Sequence, residues 1–129
     1  MQDWELDFEW LRVRHIVKDS MGKEELPELQ SVLFLIGIQE LGRWEEDKQF
    51  TKEEKQDLMH IAVCTLLEED GYYEFEGRDQ DGWPHWKSNQ LFNIKGIEEQ
   101  ERFLTIKVIQ YFKALEALNG GFVTDSIEK

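Results

Sequence analysis

Apolar and polar positions along the chain follow a helical period in four segments and lose it in one. The first segment, 2–19, opens on alternation, with Trp4, Leu6, Phe8 and Trp10 separated by Glu5, Asp7 and Glu9. Strict alternation would suit a strand. Acidic side chains are poor strand formers and favour a helix start, so a helix is predicted. At about 100° per residue, Trp4, Phe8, Leu11 and His15 share one side, and Leu6, Trp10, Val13 and Val17 share the opposite side. A helix with two apolar stripes has to be covered twice. Ser20-Met21-Gly22 ends it.

The second segment begins at Pro27, a residue suited to a first helical turn, and runs to Leu41, with Gly42 as the stop. Its apolar residues lie nearly all around the axis, which predicts the most buried helix. Gly37 in its midst would allow a close helix approach. The third segment starts on Thr51-Lys52-Glu53-Glu54, the spacing of a capping box, and stops at Gly71. Leu58, Met59, Ala62, Val63, Leu66 and Leu67 form its apolar half.

Residues 72–92 break the period. Tyr72-Tyr73-Glu74-Phe75-Glu76 reads as extended, Asp79-Gln80-Asp81-Gly82 as a turn, and Pro84 bars a helix interior. A short, irregular β-hairpin or an aromatic loop is predicted there. The fourth segment, 96–118, carries a main stripe through Ile97, Leu104, Val108, Tyr111, Phe112, Leu115 and Leu118, with Phe103, Ile106 and Ile109 largely off it. Asn119-Gly120-Gly121 is a strong stop, and the tail 122–129 is expected to be loosely held. The pattern as a whole predicts a mainly α protein, one domain over 1–129. It would be a four-helix bundle with the hairpin or aromatic loop inserted between helices 3 and 4.

Composition narrows the function classes. In 129 residues there are 28 acidic and 15 basic side chains, for a net charge of −13. Such a charge repels phosphate backbones and anionic lipid, so neither nucleic acid nor membrane is an expected partner. Attraction to a basic protein would need the acids on one face, and they are spread along the chain. A single cysteine, Cys64, cannot form an internal disulfide, and the acidic start shows no signal-peptide pattern. A cytoplasmic setting is the expectation.

Candidate chemistry is sparse. Glu40 continues the stripe Leu29, Leu33, Ile36, so its carboxylate could act as an acid or base, or need a partner such as Arg12, Arg14 or His15. His15 closes the first stripe of segment one. Asp57, His60 and Cys64 lie on one flank of segment three at spacings of three and four. A dinuclear iron bundle would need a second carboxylate-x-x-histidine unit and two more carboxylates, and only this one unit is present. No metal and no cofactor are therefore expected. Asp79-Gln80-Asp81-Gly82 fails as a calcium loop, because Gly77 and Ser88 stand where acids are required.

The surplus of apolar stripes points to a non-enzymatic interaction or assembly module, a homodimer through helices 1 and 4. A further protein partner is expected at the aromatic loop, through Tyr72, Tyr73, Trp83 and Trp86. The alternative is a ligand- or metal-binding bundle, possibly an enzyme, with a pocket under the aromatic loop and Glu40, His15 or His60 as its weak catalytic candidates. Whether the protein is an enzyme is left open by the sequence, which leans against it.

Overall fold

The computed structural model describes residues 2–42, 49–90 and 94–119. Four helices and one hairpin follow in the order α1 (Asp3–Met21), α2 (Leu29–Leu41), α3 (Lys52–Glu68), β1 (Tyr73–Arg78), β2 (Pro84–Ser88) and α4 (Ile97–Asn119). The protein is mainly helical, with its small antiparallel sheet between the third and fourth helices. The predicted tail, 122–129, lies outside the described residues. Contacts group the chain into two compact units, Met1–Val32 with Ile97–Lys129, and Leu33–Gly96.

In the first unit, the acidic start of segment one resolves as helix. Asp3 and Glu5 stand in the first turn of α1, where a carboxylate offsets the unsatisfied amides. Leu6, Val13 and Val17 are buried. At its other end the amide of Gly22, in the left-handed conformation, lies 3.4 Å from the Asp19 carbonyl, and that of Lys23 lies 3.0 Å from the Lys18 carbonyl. These contacts close the helix as the sequence predicts. Helix α2 starts at Leu29, two residues after Pro27. The Pro27 carbonyl accepts from Arg14 Nε at 2.8 Å, and the Glu28 carbonyl accepts from the Val32 amide at 3.2 Å as the helix begins.

Helices α1 and α4 pack against each other. Asp3 pairs with Arg102 at 3.0 Å, Glu9 with Lys113 at 3.5 Å, and Arg12 with Glu116 at 2.9 Å. The partners advance together along both helices, so the two run side by side in the same sense. The Arg12 guanidinium makes two bonds to the Glu116 carboxylate, 3.0 and 2.9 Å, in the fork geometry that carboxylates favour. That bond holds the Arg12 pKa above its ordinary value, against a smaller opposing effect of burial.

In the second unit, Thr51 and Glu54 make the reciprocal capping bonds that their spacing predicts. The Glu54 amide donates to Thr51 Oγ1 at 3.1 Å and the Thr51 amide to Glu54 Oε1 at 2.9 Å. Leu58, Ile61, Ala62, Cys64, Leu66 and Leu67 are the buried residues of α3. Ile61 and Cys64 thus take inner places, while Met59 and Val63, expected on the apolar half, are only half-buried. Ile38, Leu41, Leu58 and Ile61 form a core cluster, with Phe34, Phe50 and Trp83 packed on it. Gly37 sets the approach of α2 to α3, because a Cβ there would collide with the Leu58 carbonyl.

The hairpin pairs Tyr73 with Ser88, Glu74 with Lys87 and Phe75 with Trp86, then slips by a bulge before Gly77 meets His85. It is fastened to α2 by Arg78, whose guanidinium donates to the Glu40 carbonyl at 2.8 Å, the Leu41 carbonyl at 3.0 Å and the Gly82 carbonyl at 2.8 Å. A cation here satisfies the last carbonyls of a helix and sits at the negative end of its dipole. Arg78→Ala is expected to cost about 2 kcal/mol, the range for hydrogen bonds from a charged donor. Arg78→Lys should recover part of that loss, since a single ammonium cannot span all three carbonyls. Urea unfolding of the two variants checks both values.

Candidate functional site

Two places combine function-bearing side chains, one in each unit. The first is an open cleft of about 270 Å³ between α3 and the hairpin. Asp57, His60 and Ile61 line it from the helix, and Asp79, Trp83 and His85 from the hairpin. Helical spacing places Asp57 beside His60 and Ile61. The hairpin side is shaped by Asp79. One carboxylate oxygen accepts the amides of Asp81 at 2.9 Å and Trp83 at 3.0 Å, and the other lies 2.8 Å from His85 Nε2. The bond to His85 first, and then the Trp83 amide, hold the Asp79 carboxyl below its ordinary range. The turn signal was legible in the sequence. The tie to His85, six residues on, was not, because it joins the turn to the second strand once the hairpin has formed.

Behind the cleft, His60 Nε2 lies 3.4 Å from Cys64 Sγ, and the His60 ring meets Tyr73 edge-on at 6.0 Å between centroids. Cys64 is fully buried, and burial pushes its thiol up to about 12. Burial also raises the Tyr73 phenol. A thiol held protonated in this way is not an activated nucleophile. Asp57 and His60 line one cleft. Cys64 points into the core, so the three do not converge as a ligand set. Among the described residues, no three of His, Cys, Asp or Glu gather to hold a metal ion.

The remaining acid–base candidates are dispersed. Glu40 is half-buried near the end of α2, and its backbone carbonyl is one of those Arg78 caps. His15 is exposed on α1. Of Glu40, His15 and His60, only His60 lines the cleft.

The aromatic segment divides between covering and display. Trp83 packs on the core cluster, and Tyr72, Tyr73 and Trp86 are half-buried. Phe75 and Trp86, directly opposite across the strands, stack with centroids 5.1 Å apart and planes tilted by 60°. The Trp86 Nε1 atom is buried without a hydrogen-bond partner among the described residues. Phe75 is 45% exposed and is the most open aromatic of the hairpin.

The second place is the outer face of α1. Trp4 is 70% exposed, Phe8 61% and Leu11 44%. His15 continues the face and is exposed as well. The two-stripe pattern therefore resolves into one stripe buried by the chain and one left open. On α4 the off-stripe residues are largely covered, with Ile109 fully buried and Phe103 and Ile106 half-buried. Ile97 and Leu118, expected at the two ends of its main stripe, are instead exposed.

Among the described residues, no helix is long and apolar enough to cross a membrane. Comparison with protein-family models, with curated proteins and with solved structures finds no match.

Proposed function

We propose that this protein is a non-enzymatic interaction module that works as a homodimer. The outer face of α1 is its contact, and α4, packed beside α1, forms the rim. The observation that carries this reading is the contiguous exposure of Trp4, Phe8 and Leu11 at helical spacing. Large aromatic side chains on a rigid helix are the residue types that anchor protein contacts, because they bury much area at low entropic cost. The protonated, buried Cys64 and the scatter of Glu40, His15 and His60 favour a binding role over catalysis. The lone thiol also suits a reducing, cytoplasmic setting. Phe75 would serve a further protein partner at the hairpin, beside Tyr72, Tyr73, Trp83 and Trp86.

A second reading has one observation of its own, the cleft with His60 beneath the hairpin. It would hold a small molecule against Trp83, with the Asp57 and Asp79 carboxylates facing any cationic group.

Native mass spectrometry at low micromolar concentration separates the two. The expected species is a dimer of bare chains. Phe8→Glu should convert it to monomer while leaving unfolding free energy within about 0.5 kcal/mol, as for other exposed positions. A strictly monomeric protein would overturn the dimer, and a monomer carrying extra mass would favour the cleft.

A further inference from the structure

The cleft between α3 and the hairpin has an apolar floor and a polar rim. Ile61 and Pro84 are buried, and half-buried Trp83 packs on the core cluster to which Ile61 belongs. The four polar side chains that line it are exposed, Asp57 and His60 on the helix and Asp79 and His85 on the hairpin. They differ in what they have left to bind with. One oxygen of Asp79 accepts two amides and the other lies on His85, so Asp79 supplies fixed negative charge more than a free acceptor. His60 faces the Cys64 sulfur. The Asp57 carboxylate takes part in no hydrogen bond or ion pair among the described residues.

We infer that this cleft binds a small organic cation, an alkylammonium joined to a flat apolar body, with the body on Trp83 and Ile61 and the ammonium at Asp57. This rests on the second reading above, the cleft as a binding site, and holds whether or not the chain dimerises. It adds the chemical class of the ligand and the carboxylate that anchors it.

Three observations select that class. Among the described residues no Lys or Arg lines the cleft, so an anion would meet two carboxylates and no fixed positive charge. The net charge of −13 adds a longer-range attraction for cations. A bare divalent metal ion does not suit the site. It needs several converging donors, and no three of His, Cys, Asp or Glu gather among the described residues. It would also leave the apolar floor without a partner. A volume of about 270 Å³ lies just below that of drug-sized pockets, which limits the ligand to about one ring and a short chain.

The test is amide NMR of the full chain titrated with phenethylamine, which is protonated at neutral pH as a lysine side chain is. Saturable shifts are expected at residues 57–61 and 79–85, with a dissociation constant on the order of 1 mM, the scale for about nine non-hydrogen atoms. The uncharged 2-phenylethanol has the same ring and chain and should bind about tenfold more weakly. The anionic 3-phenylpropionate should leave these amides unshifted. Asp57→Asn, at an exposed helix position, should raise the constant for the amine about fivefold, the upper end for a solvent-facing ion pair. Glu68→Gln, an exposed acid at the far end of α3, should leave it unchanged. Equal binding of the amine and the alcohol would overturn the cation and leave the cleft standing. No response to any of the three compounds would overturn the cleft itself as a binding site. An unchanged constant in Asp57→Asn, or equal weakening by both substitutions, would overturn Asp57 as the anchor and show only diffuse attraction to an acidic chain.

Discussion

Gly37→Ala is expected to destabilise the protein by about 3 kcal/mol, the upper part of the range for overpacked sites. The added methyl would meet the Leu58 carbonyl, which belongs to the backbone of α3 and cannot rotate out of the way. Relief requires the two helices to move apart, and that movement would loosen the cluster of Ile38, Leu41, Leu58 and Ile61 beside them. The sign of the effect makes the experiment decisive. In an exposed helix the same change would stabilise by about 1 kcal/mol, because alanine is the better helix former. A urea midpoint that rises in Gly37→Ala would mean that α2 and α3 do not approach closely there.

The second large effect concerns Cys64. With its thiol pushed from an ordinary 9.0 up to about 12, the thiolate fraction at pH 8 should be lower by about a thousandfold. Iodoacetamide should therefore leave the native protein unmodified on a timescale that fully alkylates it in urea. Comparable rates in the two states would show that the thiol is not held in the core.

The same shift has a consequence for alkaline stability. The folded state keeps the thiol protonated, so its contribution is intact below about 9. It is lost as pH climbs toward about 12, where the unfolded chain releases the proton first. Tyr73, raised by the same burial, acts in the same direction. Cys64→Ala should unfold less steeply with rising pH than the parent. Parallel pH profiles would remove Cys64 from the explanation.

How far the sequence led differs element by element. Thr51 and Glu54 are three residues apart, and the capping box they predict is present, because such bonds are local and need nothing beyond the helix itself. Gly22 and the approach at Gly37 were legible for a similar reason, since a missing side chain speaks about its own position. Helix α2 starts two residues past Pro27, and the bond that the Pro27 carbonyl accepts from Arg14, thirteen positions away, had no sequence signal. Arg78 gave no sequence signal at all. Nothing in its neighbours says that it will reach the end of α2, 37 and 38 residues earlier.

The candidate site followed the same division. Periodicity gave α1 two apolar stripes, yet only burial distinguishes the one the chain covers from the one it leaves open. Asp57 and His60 share a helix flank by spacing alone. The cleft they line exists because the hairpin folds back with Trp83 inward, and that is a tertiary event.

A sheet of two strands has two outer edges, and each is a template on which another strand could grow into a fibril. Here the slip before Gly77 twists the first strand, and Glu74, Glu76 and Lys87 stand exposed on it and on its neighbour. An incoming strand would have to follow a broken register and desolvate these charges. The irregularity that makes the hairpin hard to read thus also guards its edges, and a concentrated solution of this chain should resist aggregation along it.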